Sequence, residues 1–273
     1  MAIGSNSRNA AADAAGVGDS CVNVQVHEYR GGSYGCRSAS VVQEIEVGVR
    51  LNGELAYEIN CSPWNVRECV VGSLFFRGAI GAASDVAAFS YEDGVASVET
   101  AEAAGRFVRA DGAPRNRHRP KPLPCEAPPC RLTADEVNGL IGLLEDGSHL
   151  FHRTGGVHSA AVATRDGVVV RQEDVSRQAA LDKLMGACLL EGIDPAGMFL
   201  LFSGRMPHSI VSRVVLMGCP VVISPGAPTD LSLELAHRCG VTLVGFAKNG
   251  CFNAYTHIER VVAHGRPSPR KAG

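Results

Sequence analysis

The chain has 273 residues, of which 45% are hydrophobic and 20% charged, and its formal net charge is −2. This length is enough to bury a large core, in one domain or two. The near-neutral charge argues against a nucleic-acid-binding protein, because neutralising phosphates requires an excess of basic residues. The sequence contains no run of about 18 apolar residues, so no membrane-spanning helix is predicted.

Both ends of the chain are polar and rich in small residues. Residues 1–40 are predicted to be a disordered tail, because they begin with a long stretch of Ala, Gly, Ser and Asn. This stretch lacks the cationic and apolar regions of a secretory signal. A cytoplasmic location is therefore predicted, in which most of the ten cysteines stay as free thiols. Residues 263–273 are predicted to be a second tail.

Residues 41–105 are predicted to form a smaller α+β region. Apolar residues alternate from Glu44 to Leu51, and a second run extends from Leu55 to Ile59. The Asn52-Gly53 pair between them is a strong signal for a β-hairpin. Ser62-Pro63 then precedes a helical pattern of apolar residues.

Residues 106–149 are predicted to be a connection rich in Pro and Arg, which contains Cys125 and Cys130. These two thiols are predicted to be the only exposed ones, since the other cysteines lie in less polar surroundings. Nearby cations, Lys121 and Arg131, would favour the reactive thiolate. A thiolate on a mobile loop suits a carrier that visits a donor and then an acceptor. The alternative is a pair of surface thiols without function.

A zinc site is an alternative interpretation of these two cysteines, and the sequence argues against it. Zinc deaminases combine a Pro-Cys-x-x-Cys motif with an upstream His-x-Glu. Here four residues separate Cys125 from Cys130, and the segment at His118 lacks the acid. No bound zinc is expected, and a zinc hydrolase is the least favoured of the functions considered.

Residues 150–262 have the pattern of an α/β domain. Strands and helices alternate with short links, which predicts a parallel sheet covered by helices. The predicted elements are a hairpin from Ala160 to Val170, a helix over Arg177–Glu191, a strand over Met198–Phe202, a helix over Pro207–Met217, a strand over Val221–Ser224, a helix over Leu231–Arg238 and a strand over Thr242–Val244.

The loop after the last of these strands is predicted to bind a phosphate-bearing ligand. In open α/β sheets, ligands sit beyond the carboxyl ends of parallel strands. The strand is predicted to end at Gly245, and the loop that follows carries a cation, an amide and a glycine that allows close backbone approach. Its residues are Phe246, Ala247, Lys248, Asn249, Gly250 and Cys251.

Other polar positions allow two interpretations each. Ser203-Gly204-Arg205 is either a second anion-binding mouth or the location of a structural ion pair. His158 either meets a ligand or, as the more common case, hydrogen-bonds a turn. Glu173-Asp174 is interpreted as a cap of the following helix, and Asp182-Lys183 as an exposed ion-pair face.

Several segments, in order along the chain, resemble the formate dehydrogenase accessory sulfurtransferases. The segment Thr154–Ala161 is similar to that family's Gly-Gly-Val-His-Ala-Ala motif, and Glu173–Lys183 to its Glu-Asp-Val-Gly-Arg-His-Asn-Ala-Leu-Asp-Lys signature. Shorter matches follow at Ala227–Thr229, Glu234–Ala236, Thr242–Phe246, Phe252-Asn253 and Tyr255–His257. Ordered motifs are more specific than any one of them alone.

The resemblance implies a cytidine-deaminase-like three-layer α/β domain, a homodimer, and a sulfur-carrying function. Sulfur from a cysteine desulfurase would pass to the molybdenum bis-guanine-dinucleotide cofactor, which is then inserted into formate dehydrogenase or a related molybdenum or tungsten enzyme. Cys125 is the counterpart of the family's persulfide-bearing cysteine, and Cys130 of its second cysteine. Phe246–Cys251 is the counterpart of the family's guanine-dinucleotide contact.

The chain also departs from the family pattern. The family's cysteine loop reads Cys-Gly-x-Cys-Gly, whereas residues 125–130 here are Cys-Glu-Ala-Pro-Pro-Cys. The family usually has arginine where this chain has Cys251, and histidine and asparagine where it has Gln178 and Ala179. The alternative is therefore a non-catalytic cofactor-binding chaperone, or a divergent relative that carries no persulfide.

Overall fold

The computed structural model of the protein describes residues 20–101 and 131–262. The strands of these ranges are β1 (Cys21–Arg30), β2 (Ser33–Val42), β3 (Ile45–Leu51), β4 (Glu54–Cys61), β5 (Val86–Glu92), β6 (Val95–Thr100), β7 (Leu132–Thr133), β8 (His158–Thr164), β9 (Gly167–Asp174), β10 (Phe199–Phe202), β11 (Val221–Ile223), β12 (Thr242–Lys248), β13 (Cys251–Ala254) and β14 (Val261–Val262). The helices are α1 (Val66–Phe76), α2 (Ala134–Asp146), α3 (His149–Thr154), α4 (Arg177–Glu191), α5 (His208–Met217) and α6 (Asp230–Cys239), with 3-10 turns at Ala83–Asp85 and Ile258–Arg260. None of these helices combines the length and apolar character needed to cross a bilayer.

The largest sheet is mixed and has the strand order β13-β12-β11-β10-β8-β9. Its central strands β10, β11 and β12 run parallel, as the alternation of strands and helices predicts. The strands on either side are antiparallel: β8 pairs with β10 and β9, and β13 pairs with β12. Because β8 runs against β10, the first residues of β8 lie at the same edge as the last residues of β10.

Helices cover both faces of this sheet. Successive side chains of a strand point to opposite faces, so Leu200 and Phe202 enter one core with α4, α5 and α6. Phe199 and Leu201 enter a second core with α2. The large sheet is thus the middle of three layers.

A smaller four-stranded sheet, in the order β4-β3-β6-β5, packs against α1. The predicted hairpin at Asn52-Gly53 is confirmed, and both residues have positive φ angles of 50° and 88°. The buried residues of this sheet, such as Val47 and Val98, belong to the same core as α1 and α4. The N-terminal and C-terminal regions therefore share one core, while the predicted domain boundaries stay predictions.

The prediction of a disordered tail through residue 40 is wrong for residues 21–40. These residues form most of the antiparallel ribbon of β1 and β2, which pair along their whole length from Cys21↔Val42 to Arg30↔Ser33. Valines alternate with polar residues at Val22, Val24 and Val26, and the turn at Gly31-Gly32 has positive φ at both residues. This local signal outweighs the polar composition.

The prediction of an unstructured connection over residues 106–149 is also wrong where the chain is described, because α2 occupies Ala134–Asp146. Its apolar face consists of Val137, Leu140, Ile141 and Leu144, which have helical spacing and are buried. The helix begins with a capping box. The Thr133 hydroxyl accepts from the Glu136 N–H at 3.2 Å, and the Glu136 carboxylate accepts from the Thr133 N–H at 2.7 Å.

We expect Thr133→Ala to lower the free energy of unfolding by about 1 kcal/mol, because it removes the acceptor for the Glu136 N–H. Urea denaturation followed by circular dichroism measures the change. Thr133→Ser keeps the hydroxyl and should lie close to the wild type. Equal losses in the two variants would show that the hydroxyl does not stabilise the helix.

Candidate functional site

A cavity of about 520 Å³ opens at the carboxyl edge of the central strands. Ser203 follows β10, Pro225 follows β11, and Lys248 ends β12. The opposite wall comes from α2, α3 and the glycines that follow α3. The lining residues are Ile141, Leu144, Glu145, Ser148, Phe151, His152, Gly155, Gly156, Val157, His158, Ser159, Ser203, Pro225 and Lys248. A largely apolar lining with a few polar groups, here on both walls, is typical of a small-molecule site.

The segment around Lys248 is a hairpin and not the loop that the sequence predicted. β12 continues past Gly245 to Lys248 and pairs with β13, with an irregular register between these two residues. Asn249 and Gly250 form the two-residue turn, with φ angles of 53° and 75°. The sequence carries the same Asn-Gly signal here as at residues 52–53.

The hairpin presents some of its predicted ligand residues and buries another. Lys248 and Cys251 are exposed and face each other across the turn. Phe246 is 49% exposed and has a φ of 53°, which is rare for a bulky side chain. Ala247 is fully buried, and its N–H donates to the Ser224 carbonyl at 3.0 Å. Of this segment, Lys248 lines the cavity, whereas the exposed Phe246 is not among the cavity residues.

Three glycines allow the backbones at this edge to lie close together. A Cβ on Gly226 would lie 2.5 Å from the Gly204 carbonyl oxygen, and one on Gly245 would lie 2.9 Å from the Gly226 carbonyl oxygen. The Ser224 hydroxyl links two of them, since it donates to the Gly204 carbonyl at 2.6 Å and accepts from the Gly226 N–H at 2.9 Å. The cavity edge is therefore rigid backbone.

The predicted second anion mouth is only partly present. Ser203 lines the cavity, whereas Arg205 is exposed and is not among the cavity residues. Within residues 20–101 and 131–262, Arg205 forms no ion pair either. Of this segment only Ser203 lines the cavity, and the ion-pair interpretation of Arg205 has no support among the described residues.

His158 lines the cavity. Its hydrogen-bond neighbour is Ser203 in the bend after β10, which agrees with the interpretation of a histidine that bonds a turn, while contact with a ligand stays a prediction. His158 is the first residue of β8, and the antiparallel pairing with β10 places its Nδ1 3.5 Å from the Ser203 hydroxyl. Its ring stacks on Phe202, with the ring centroids 6.4 Å apart. Burial, with a smaller contribution from Arg177, lowers the pKa of His158 below its usual value, and Asp174 opposes this.

A buried hydrogen-bond network of Ser148, Ser159 and Glu173 connects the cavity wall to the large sheet. The hydroxyls of Ser148 and Ser159 lie 2.7 Å apart, and Ser159 donates to the Glu173 carboxylate at 2.8 Å. Burial raises the pKa of Glu173, and its hydrogen bonds to Ser159 and to the Leu150 N–H partly offset this. Because α3 starts beside Glu173, this network holds the α3 wall of the cavity to the sheet.

Asp174 and Lys183 form a buried ion pair behind the cavity. The Lys183 ammonium lies 2.6 Å from Asp174, and both side chains are fully buried. Asp174 also accepts from the Ser62 N–H at 3.0 Å and from the Ser176 N–H at 2.8 Å. The prediction that Glu173-Asp174 caps α4 is wrong, because the N-cap is Ser176, whose hydroxyl accepts from the Ala179 N–H at 3.4 Å. The ion pair also ties residue 62 of the N-terminal region to the start of α4.

The prediction of an exposed Asp182-Lys183 face is wrong. Lys183 pairs with Asp174, and Asp182 pairs with Arg213 at 2.9 Å. Burial raises the pKa of Asp182, while Arg213 opposes this shift. α4 has apolar residues on all sides, such as Ala180, Leu181 and Leu184, which indicates a helix buried all round.

Cys125 and Cys130 lie outside the described residues, so their predicted functions are not tested. The prediction that they are the only exposed thiols is wrong, because Cys36 and Cys251 are exposed. Both of these lie on hairpins, where one strand face points to solvent. Cys188, Cys219 and Cys239 are buried as predicted. Burial raises the pKa of Cys188 to about 12, so this thiol is not a nucleophile at neutral pH.

The α3 wall with Phe151 and His152 was not predicted from the sequence, because it precedes the first element predicted for residues 150–262. Sequence reasoning also missed the Ser148–Ser159–Glu173 network, since single serines in a sequence carry no signal for a shared network. For His158 the signal was present, because the residue belongs to the Gly-Gly-Val-His motif by which the chain resembles the family.

Comparisons with known proteins point to the same family. The FdhD/NarQ family model matches residues 42–262. A sulfur carrier protein FdhD of Bacillus pumilus is 32% identical over 251 residues, which cover 86% of this chain and 95% of that protein. A sulfur carrier protein FdhD of Geobacillus kaustophilus is 33% identical over 254 residues, which cover 87% and 95%.

A solved structure shares the fold. The crystal structure of a protein assigned as a formate dehydrogenase accessory protein, from Desulfotalea psychrophila, matches with a TM-score of 0.72 and 24% identity. The match covers 89% of this chain and 99% of that one. With the sequence matches across most of its length, the chain belongs to the FdhD/NarQ family.

Proposed function

We propose that this protein is a sulfur carrier that acts in the maturation of formate dehydrogenase or of a related molybdenum or tungsten enzyme. The observation that carries the proposal is its membership of the FdhD/NarQ family over residues 42–262. Relatives that align with most of this chain are named sulfur carrier proteins. The donor in the proposal is a cysteine desulfurase, and the acceptor substrate is the molybdenum bis-guanine-dinucleotide cofactor.

The first step is a transfer of sulfane sulfur to Cys125. The Cys125 thiolate attacks the outer sulfur of the desulfurase persulfide, and the sulfur–sulfur bond in the desulfurase breaks. The carrier gains a persulfide, and the desulfurase cysteine leaves as a thiolate, so no outside oxidant or reductant is needed. Cys130 is proposed as the thiol that protects or resolves this persulfide.

The acceptor is proposed to bind in the cavity beside Lys248. The exposed ammonium can pair with phosphate oxygens, and the turn at Asn249-Gly250 exposes backbone next to it. The apolar wall, which includes Phe151 and Val157, suits a planar base. Phe246, Lys248, Asn249, Gly250 and Cys251 are the proposed contacts, and Ala247 can take part only through its backbone.

Three further features belong to this proposal. They are the cytidine-deaminase-like form of the three layers, a homodimeric assembly and a location in the cytoplasm. The three-layer arrangement of the large sheet supports the first of them. The absence of a zinc ion stays a prediction.

Incubation with a cysteine desulfurase and 35S-labelled cysteine tests the carrier step. We expect the full chain to acquire label that reducing agents release, and Cys125→Ala to abolish it. Cys36→Ala and Cys251→Ala are matched controls, since each removes an exposed thiol from a hairpin. Both controls should load like the wild type. Unchanged labelling of Cys125→Ala would contradict the assignment of the persulfide to this residue.

The second candidate function is a cofactor chaperone without a persulfide. The wide Cys-Glu-Ala-Pro-Pro-Cys spacing at residues 125–130 favours it. In that case Cys125→Ala/Cys130→Ala should still support formate dehydrogenase maturation and still bind GDP. If the double variant binds GDP but fails in maturation, the carrier function is supported and the chaperone is excluded.

A further inference from the structure

We propose that His158 is a ligand-binding residue of the cavity and donates a hydrogen bond from Nε2 to an oxygen of the nucleotide end of the acceptor. This inference rests on the proposed function and adds a residue to its acceptor site. The family resemblance implies this contact for residues 246–251, of which Lys248 lines the same cavity as His158.

The position of His158 is set by strand pairing. β8 starts at His158, and Phe202 of β10 pairs with Ala160, so the histidine lies beside the residues that follow β10. One of these, Ser203, lines the cavity together with His158 and Lys248. Two polar side chains from separate strands therefore meet Lys248 around one opening.

The contact with Ser203 uses one ring nitrogen of His158 and leaves the other available. The Ser203 hydroxyl oxygen accepts from the Ser159 N–H at 2.9 Å. Its own hydrogen is then free for His158 Nδ1, which lies 3.5 Å away. In the proposed tautomer Nδ1 accepts this hydrogen and Nε2 carries the hydrogen of the neutral ring, whereas in the other tautomer Nδ1 would donate to the second lone pair of the hydroxyl. The proposed tautomer thus keeps one donor, which no described residue uses.

Packing fixes the orientation of the ring. It stacks on Phe202 at an interplanar angle of 24°. A Cβ on Gly204 would lie 3.2 Å from His158 Nδ1 and 3.1 Å from the Phe202 ring, so the ring has little room to turn. A donor held in place costs little entropy when it binds a ligand.

Lys248 supplies the positive charge of the cavity lining, and Glu145 on the α2 wall is a carboxylate of the same lining. Burial and, to a smaller extent, Arg177 lower the pKa of His158, while Asp174 opposes this shift. The Nε of Arg177 is buried and has no hydrogen-bond partner among the described residues. Arg177 is not among the cavity residues, so the side-chain donors that the cavity offers to a ligand include His158 and Lys248.

Binding of GDP, measured by isothermal titration calorimetry on the full chain, tests the inference. His158→Phe keeps a ring to stack on Phe202 and removes both nitrogens. We expect it to bind GDP about 10-fold more weakly, since a hydrogen bond to a charged group contributes about this factor. His158→Gln restores an N–H donor and should recover part of the affinity.

A second measurement decides the question if His158→Phe fails to fold. In the wild type labelled with 15N-histidine, we expect His158 to show the Nε2–H tautomer, and GDP to shift its Nε2 resonance. A purely structural histidine would leave that resonance unchanged. Equal GDP affinity of wild type and His158→Phe, or an unmoved Nε2 resonance in the GDP complex, overturns the inference.

The same titration separates this inference from the proposed function. If the wild type binds no GDP, the proposed acceptor site fails, and the inference that rests on it fails too. If the wild type binds GDP and His158→Phe binds it equally well, only the inference fails. Label transfer to Cys125 tests the carrier step independently of both results.

Discussion

Lys183→Met should lower the free energy of unfolding by about 3–5 kcal/mol, because it leaves the Asp174 carboxylate buried without its counter-charge. In the wild type, the Lys183 ammonium lies 2.6 Å from Asp174 and 3.2 Å from the Ser62 carbonyl oxygen. It also lies 4.6 Å from the centre of the Trp64 ring. Methionine fills a similar volume but can pair with neither oxygen.

Urea denaturation of the purified chain measures this loss. The matched control is Arg37→Met, which breaks an ion pair of similar length with Glu28, at 2.9 Å, on the exposed ribbon. An exposed pair of this kind contributes about 0–1 kcal/mol. Adding Asp174→Asn to Lys183→Met should restore part of the stability, since the stranded charge is removed. A Lys183→Met variant no less stable than Arg37→Met would contradict the account.

The pair also explains a sequence motif in physical terms. Glu173–Lys183 resembles a family signature. Asp174 and Lys183 are its buried pair, while Glu173 holds the cavity wall through Ser159. The Asp174 carboxylate accepts a hydrogen bond from the N–H of Ser62, which is 112 residues away in the chain. We therefore expect Lys183→Met to weaken GDP binding only as far as it unfolds the protein.

The sequence predicted the centre of the fold because its signals there are local. The strands β10, β11 and β12 are short apolar runs, and the helices between them end at Gly218 and Gly240, both with positive φ. The ribbon of β1 and β2 was missed because polar composition was weighed above the alternation of Val22, Val24 and Val26. Helix α2 was missed because the Pro-rich character of residues 106–130 was extended past the capping box at Thr133.

The site was predictable only in part. A cation after the predicted strand Thr242–Val244 follows from the order of elements, and the structure places Lys248, the last residue of β12, at the cavity. The Asn249-Gly250 turn carried a hairpin signal that was not used. The meeting of His158 with Ser203, however, depends on the antiparallel pairing of β8 with β10, and this pairing has no signature in either strand.

The other large effect is expected from Gly186→Ala, which should destabilise the protein by about 3 kcal/mol or more. α1 and α4 cross so closely that a Cβ on Gly186 would overlap the Glu68 carbonyl oxygen, and one on Gly72 would overlap the Asp182 carbonyl oxygen. Backbone cannot move aside as a flexible side chain can, so the helices must separate along their contact. Overpacking of this kind typically costs 1–3 kcal/mol, and more where the obstacle is rigid.

Gly139→Ala is the matched control for this glycine, because it changes the same residue type within a helix. Nothing lies within 4 Å of a Cβ at Gly139 in α2. Alanine there should stabilise the protein by about 0.5–1 kcal/mol, since it restricts the unfolded chain and favours helix. Urea denaturation of the two variants should thus give changes of opposite sign.

If Gly186→Ala is as stable as Gly139→Ala, then α1 and α4 do not depend on a glycine contact. In that case the tie between the small sheet and the sheet that carries the cavity must come from other residues, with the Asp174–Lys183 pair as the first to examine.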